Sequence, residues 1–427
     1  MENTKSKNYA LPIAMMFALF FMISFVTGLQ NPLGVIVKNQ FNASNLMSQL
    51  GNAANFIAYA FMGIPAGLLL QKIGYKKTAL AAIAVGFVGV SISWFSGQLS
   101  SFGVYLFGAF VSGFSMCMLN AVVNPMLNTL GGGGNKGNQL IQLGGAINSI
   151  GATIVPVLGG YLIGTVTQNT AISDATPALF LAMGIFALAF IVLFFVNIPE
   201  PFVEKKEKIK DKHSAMSFRH FRFGILCIFV YVGVEVGIPN FVNLFMTSSL
   251  DMGGLAMDTT IAGSVIGTYW FLMLIGRLVG ASVGAKVSSK AMLTFVSSLG
   301  MILVAAAIFS PISTKVSMPV FQSDLSFGLA EVPVSIMFLI LCGLCTSVMW
   351  GGIFNLAVEG LGKYTAMASG IFMVMVCGGG ILPLIQGYVA DLTSFVASYW
   401  VIFIALAYML YYALIGCKNV NKDIPTA

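Results

Sequence analysis

Apolar residues along this chain alternate with polar ones at neither the strand period nor the one-face helical period. They come in contiguous runs of about 20 residues, the length a helix needs to cross the hydrocarbon core of a bilayer. The runs predict helices over residues 9–37, 47–71, 78–98, 101–129, 138–164 and 177–197, then over 222–248, 259–286, 290–310, 333–358, 365–390 and 396–416. The most hydrophilic stretch, "PEPFVEKKEKIKDKHSAMSFRHFR", separates the sixth run from the seventh. It divides the chain into a six-helix bundle (1–198), a loop (199–221) and a second six-helix bundle (222–427). The first run, Tyr9 to Val37, is too long for a signal peptide and lacks a small-residue cleavage site, so it is expected to be retained as a helix.

Composition agrees with the pattern. The chain of 427 residues is 58% hydrophobic and 8% charged, with a mean hydropathy of +0.91. A water-soluble domain carries roughly 25% charged residues. The expected fold class is therefore an all-α membrane protein of twelve helices, with the lipid bilayer as its surroundings. The net charge of +7 reflects orientation, and no nucleic-acid partner is expected. Lys5, Lys7, Lys72, Lys76, Lys77, Lys136, the basic central loop, Arg277, Lys286, Lys290, Lys363, Lys418 and Lys422 all fall on one side if twelve helices are counted. Lys38 and Lys315 fall on the other, among Asp174, Asp251, Asp258, Asp324, Glu331 and Asp391. Positive charge gathers on the cytoplasmic side, which places both termini and the central loop there.

The two bundles repeat weakly. "GLLLQKIGYKKTAL" (67–80) aligns without gaps on "GASVGAKVSSKAML" (280–293), matching Gly67, Lys77 and Leu80 with Gly280, Lys290 and Leu293. "PVLGGYL" after helix five's "GATIV" resembles "PLIQGYV" after helix eleven's "GGGIL", pairing Pro156 with Pro383 and Tyr161 with Tyr388. Repeated six-helix halves are the layout of a transporter that rocks about a central site.

Polar residues inside the apolar runs mark that site. Glu235, in "YVGVEVGIPNF", is the one acid well inside a span. An ionised group at the bilayer centre costs about 2.5–3.5 kcal/mol on insertion scales, so it is expected to face a wet cavity and bind or cycle a cation. Pro239 lacks a backbone donor and frees the carbonyl four residues back, that of Glu235. Such a kink is tolerated where it lines a cavity or is buried in protein. Helix four carries Asn120, Asn124 and Asn128 at a spacing of four, which stacks them along one face. Gln30 and Asn31 in helix one, Gln142 and Asn148 in helix five, and Asn243 in helix seven add further carboxamides. Carboxamides donate and accept, which suits a neutral hydroxyl-rich ligand. Trp270 and Trp350 offer flat faces for a sugar ring. Helix–helix hydrogen bonding and packing are the structural alternatives for these residues.

Other motifs carry less. The six cysteines are scattered, and Cys342 with Cys345 sits in "LILCGLCTSVMW" with no histidine or acid nearby, so packing rather than metal or redox chemistry is expected. "LGGGGNKGN" (130–138) lacks the ending of a phosphate loop and reads as a flexible turn. No nucleotide motif appears, and no cofactor or metal is expected.

At these motifs the chain resembles the major facilitator superfamily. "GLLLQKIGYKK" is similar to the superfamily's loop between helices two and three, with Gln71 where an aspartate is usual. "YVGVEVGIPNF", "TYWFLMLIGRLVG", "MWGGIFNLAVEGLG", "ASGIFMVMVCGGGILPLIQGYVAD", "NAVVNPMLNTLG" and "GGAINSIGATIVPVLGG" resemble the fucose permease and glucose/galactose permease group. The resemblance implies monosaccharide uptake across a bacterial inner membrane, driven by a proton or sodium gradient. It also implies that Asn31 and Asn120 stand where the fucose permease has carboxylates, that Gly145 stands for its helix-five glutamine, and that Glu235 matches a glutamate of the glucose/galactose branch. The expectation is a non-enzymatic, monomeric sugar–cation symporter. Substrate would be held by Gln30, Asn31, Asn120, Asn124, Gln142, Asn148, Asn243, Trp270 and Trp350, and Glu235 would couple the cation. An uncoupled facilitator or exporter of another polar solute, and a membrane sugar sensor, are the alternatives.

Overall fold

The structure is a computed structural model that describes residues 9–41, 45–163, 171–200, 213–248, 250, 253–322, 326–421 and 423–426. Five helices precede the central loop: α1 (Ala10–Gln40), α2 (Asn45–Leu99), α3 (Phe102–Leu130), α4 (Gly134–Ile163) and α5 (Thr176–Phe195). Eight follow it: α6 (Arg219–Thr247), α7 (Thr259–Val283), α8 (Ser289–Phe309), α9 (Val334–Thr346), α10 (Met349–Val358), α11 (Thr365–Val374), α12 (Gly378–Leu392) and α13 (Tyr399–Tyr411).

These helices give twelve crossings. α2 has 55 residues and, if straight, would run about 80 Å, far beyond a hydrocarbon core of about 30 Å. It breaks at Gly74, where φ is 84° and ψ is 175°. The arm before the break packs on α11, and the arm after it packs on α3 and α5. α9 and α10 form one crossing interrupted at Ser347 and Val348, and α11 and α12 form one joined by a 3-10 turn over Met375–Cys377. Each of the twelve predicted spans therefore has a helical counterpart.

Gly74 shows how the sequence sets a corner. Its φ/ψ pair is open only to glycine. Directly after it, the Glu200 carboxylate accepts from the backbone N–H groups of Tyr75 (2.6 Å) and Lys76 (3.0 Å), which begin the third crossing. A carboxylate there satisfies donors that a helix start leaves unpaired. Lys76 Nζ donates to Phe194 O at 2.8 Å, fastening the same corner to α5.

Three features differ from the sequence reading. Residues 130–138 are not one turn: α4 already begins at Gly134, and the turn is confined to Gly131–Gly133, where Gly132 and Gly133 take positive φ. The segment between α8 and α9 is not plain loop but a hairpin, β1 (Lys315–Phe321) antiparallel to β2 (Phe327–Pro333), with Phe321 opposite Phe327. Met318 and Val320 on one strand, and Ala330 and Val332 on the other, bury one face at the strand period of two. The hairpin docks on α7, where Phe321 N–H donates to Thr268 Oγ1 (2.8 Å) and its ring stacks on Phe271 at 4.7 Å and 8°. Finally, Arg277 is not a loop-flanking charge but lies within α7.

The six crossings on each side of the central loop meet at one end of the molecule. That end also holds Gly74, Glu200, the 360–364 turn and the C-terminal residues: Lys363 N–H donates to Thr426 O at 3.0 Å, and Arg219 N–H donates to Asn421 Oδ1 at 2.9 Å. We refer to it as the loop end. Among the described residues, contacts between the halves run from mid-helix to this end. Ser369 Oγ of α11 donates to Ala121 O of α3 at 2.9 Å, and Asn128 Nδ2 of α3 donates to Asn355 Oδ1 of α10 at 2.7 Å. Closest of all are glycines: a Cβ on Gly370 of α11 would stand 2.5 Å from Gly63 O and 2.7 Å from Gly67 Cα. Small residues let helix backbones touch in a membrane.

Two outcomes follow from these contacts. Gly74→Ala is expected to lower stability by about 1–3 kcal/mol, because its backbone is strained and its Cβ would stand 2.5 Å from Glu200 Oε2. Thermal unfolding in detergent measures it, and an unchanged midpoint would contradict the assignment of this corner. Gly370→Ala is expected to fold yet hold the loop ends of the halves apart, read as increased alkylation of cysteines placed there.

Candidate functional site

The site is best built from Pro239 outward. α6 continues through Pro239 without interruption. Proline donates nothing to the Glu235 carbonyl. Tyr269 of α7 supplies the missing donor: its hydroxyl donates to Glu235 O at 3.3 Å and shares a 3.0 Å hydrogen bond with Thr346 Oγ1 of α9. The freed carbonyl is thus buried in protein.

The Glu235 side chain is not solitary. Its Oε1 lies 3.3 Å from Arg277 Nη2, with the two side chains 16% and 12% exposed. Tyr231, one turn earlier on α6, stands beside the same carboxylate, and its hydroxyl donates to Thr346 O at 3.3 Å. Arg277 extends the knot. Nη1 donates to Ser149 Oγ (2.6 Å) and Gly145 O (3.1 Å) on α4, and Nε donates to Ser347 O (3.4 Å) at the break between α9 and α10. Gly145 leaves room for this: a Cβ there would lie 3.4 Å from Arg277 Cδ. One guanidinium therefore touches α4, α6, α7 and the α9–α10 break, and so both halves of the molecule. Planar, always charged and carrying five donors, arginine suits such a bridge better than lysine.

The carboxamides and tryptophans of the sequence reading divide into three groups. Asn124, Gln142 and Trp350 come together as an inter-half seal. Trp350 Nε1 donates to Asn124 Oδ1 at 3.0 Å, and Gln142 Nε2 donates to Val348 O at 2.8 Å. Asn124 and Gln142 are buried rather than open to a cavity, because the halves close over them here. The Trp350 ring packs between Tyr231 and Phe372, at 6.3 and 5.9 Å.

A second group stays within one half. Asn120 Nδ2 donates to Tyr59 OH at 3.0 Å and to Met116 O at 3.1 Å, and Asn148 Nδ2 donates to Phe20 O at 3.0 Å. A third faces away from the seal. Trp270 is partly exposed and stands seven residues before Arg277, which puts both on one face of α7, about 10 Å apart. Asn243 is exposed on α6. Nearby, a groove of about 460 Å³ between α6 and α12 is lined by Asn240, Phe241, Leu244, Pro383, Leu384, Gly387, Tyr388 and Asp391. Gln30 and Asn31 belong to α1, but their side chains lie outside the described residues.

Arg277, Ser149, Ser347 and Thr346 were missed by sequence reasoning. Arg277 was counted with Lys286 and Lys290 among the charges flanking the turn between helices eight and nine. Its sequence surroundings, "FLMLIGRLVGASVG", carried the contrary signal: no other charge stands between Asp258 and Lys286. Among the described residues, no group of histidine, cysteine and acid side chains is arranged to hold a metal.

Comparisons with known proteins agree with this architecture. A sequence model of the Major Facilitator Superfamily matches residues 16–383. The chain is 29% identical over 423 residues to a glucose/galactose transporter of Brucella abortus biovar 1, covering 98% of this chain and 97% of that one. It is 22% identical over 413 residues to the L-fucose-proton symporter of Escherichia coli strain K12, covering 91% and 88%. Among solved structures, the Major Facilitator Superfamily transporter FucP in the outward conformation superposes with a TM-score of 0.79 at 20% identity, covering 95% of this chain and 98% of that one. The proton:xylose symporter XylE superposes with a TM-score of 0.68 at 14% identity, covering 96% and 97%. The match runs through both six-helix halves, and on it this chain belongs to the Major Facilitator Superfamily of membrane transporters.

Proposed function

We propose that this protein takes up a neutral hexose-class sugar across a bacterial inner membrane in symport with a cation, by alternating access between the halves 1–198 and 222–427. The observation that carries the reading is the placement of Glu235. It is a carboxylate inside the membrane span, ion-paired at the contact between the halves, in a chain whose relatives include a glucose/galactose transporter and an L-fucose-proton symporter. The relatives' names favour the proton as the coupling cation. Basic residues crowd the loop end, which makes it cytoplasmic under the positive-inside rule and puts both termini there. Among the described residues, contacts between the halves run from mid-helix to that end, which favours an outward-facing conformation.

In this reading Asn124, Gln142 and Trp350 belong to the floor of the site. They hold the halves together below the sugar and are released for other partners when the floor opens. Asn120, Asn148, Asn243 and Trp270 are assigned to the wall above it; Gln30 and Asn31, read from the sequence as further members, lie outside the described residues. Asn120 bonds to Tyr59 and carries no titratable proton, so coupling falls to Glu235.

Uptake of labelled hexoses into proteoliposomes tests the proposal. Wild-type protein is expected to concentrate a hexose under an inside-alkaline gradient. Glu235→Gln is expected to keep sugar exchange but to accumulate no sugar above equilibrium. Accumulation by Glu235→Gln would remove the coupling role, and exchange without gradient-driven accumulation in the wild type would favour an uncoupled facilitator.

Trp350→Phe keeps an aromatic ring, though a smaller one, and removes the N–H to Asn124. One hydrogen bond contributes about 0.5–1.5 kcal/mol net, so the floor is expected to open about two- to tenfold more often. Solvent accessibility of a cysteine at Asn128 reads this change.

A further inference from the structure

Unpaired polar side chains collect where the halves part. The first arm of α2 meets α12 and α6 at Phe56: a Cβ on Gly379 would stand 3.0 Å from Phe56 Cε1 and 2.8 Å from Val232 Cγ1. That arm starts at Asn45 and reaches the loop end at Gly74, so residues before Phe56 lie farther out. One to three turns outward from Gly379 and Val232, the seam between α12 and α6 opens into the groove of about 460 Å³. Small-molecule sites run from roughly 300 to 1,000 Å³.

The exposed surface of α12 has two characters. At about 3.6 residues per turn, Ile381, Ile385 and Leu392 share an aliphatic face, which suits lipid. Pro383, Gly387 and Asp391 turn to the groove, and Tyr388 stands at the border between the two. A carboxylate facing hydrocarbon is costly, so the groove face is the wet one. Asn240 is exposed on the opposite wall. Among the described residues, the Asn240, Tyr388 and Asp391 side chains make no hydrogen bond or ion pair. Beneath them, Gln386 is fully buried and its Oε1 has no partner. This oxygen lies 2.8 Å from where a Cβ on Gly237 would stand, one turn below Phe241.

We propose that this groove is a second hexose site, outside the floor and wall residues, and that its occupant holds the outer ends of the halves apart. The proposal rests on the hexose reading and the outward-facing conformation given above. Asp391 accepts from sugar hydroxyls, Asn240 both donates and accepts, and the Tyr388 ring covers the C–H face of the sugar. Asp391 repels an anion. A metal cation would find one carboxylate there and no second. Closure of the outer side brings the start of α2 over the seam that Phe56 already covers lower down. A sugar in the groove stands in its way. At low concentration the groove gathers sugar at the mouth of the carrier, and at high concentration its occupant slows the cycle.

The test places a reporter thiol in the groove. Leu384→Cys, in a Cys377→Ser background that removes a partly accessible thiol, is alkylated from outside by a membrane-impermeant maleimide. D-galactose or D-glucose is expected to slow alkylation about threefold or more, while glucose 6-phosphate and sodium chloride leave it unchanged. Asp391→Asn and Tyr388→Ala, both at exposed positions, should each abolish the protection. In proteoliposomes the initial rate of hexose uptake should fall at high sugar, and this fall should disappear in both variants. Protection that survives both substitutions reports closure of the outer side rather than an occupied groove, and would overturn the proposal. Protection by salt alone would also overturn it, in favour of a cation. Hexose uptake without protection removes the groove site alone. Absence of both uptake and protection removes the hexose reading together with it.

Discussion

The structure turns on one constraint: a carboxylate placed inside a membrane must be answered from within the protein. Glu235 is answered by Arg277, and removing either partner of such a buried pair typically costs about 3–5 kcal/mol. The pair needs closely spaced acceptors and donors around it, and the surrounding helices provide them. Tyr269 holds the Glu235 backbone carbonyl, Gly145 gives clearance, Ser149 Oγ accepts from the guanidinium, and the break between α9 and α10 turns the Ser347 carbonyl toward Arg277. The pair thereby fixes how α4, α6, α7 and the α9–α10 break approach one another.

Interruptions of regular helix are the source of this chemistry. A continuous helix consumes its own carbonyls, so it has little to offer a neighbour across a dry interface. Pro239 frees Glu235 O for Tyr269, and the Ser347–Val348 break offers carbonyls to Arg277 and Gln142. Of these freed carbonyls, Val348 O bonds across the halves and Ser347 O and Glu235 O within one, while Gly145 O of the continuous α4 also accepts across the halves. The halves therefore meet through a few directional bonds beside the close glycine contacts of α2 and α11. Such a contact can be opened and remade without unpacking either half, as rocking requires.

The parts legible in the sequence are those set by length and local chemistry. Runs of membrane length gave twelve crossings, and Glu235 with Pro239 stood out because an acid and a helix breaker are rare in such a run. Arg277 was not legible as a partner, because pairing across helices depends on how α6 and α7 are rotated about their axes, which neither sequence reports. The hairpin at Lys315–Pro333 was missed for a similar reason: its one buried face exists only because α7 lies beneath it. Asn124 and Gln142 were recognised as interior polar residues, but their role as a seal depends on which end of the molecule is closed.

The same pair bears on what the site can accept. An anionic substrate needs a cation with donors to spare. Among the described residues, Arg277 is the one cation in the membrane interior, and its Nε, both Nη1 positions and one Nη2 position are taken by Ser347, Gly145, Ser149 and Glu235. An arginine carries five N–H donors, so one remains. An anion would have to displace Glu235 from the guanidinium and leave that carboxylate unpaired in the same low-dielectric space. The neutral sugar proposed as substrate makes no such demand, since hydroxyls can donate to and accept from carboxamides. Two charges that satisfy each other leave the cavity neutral, and a proton arriving at Glu235 is the one event in the proposed cycle that changes this balance.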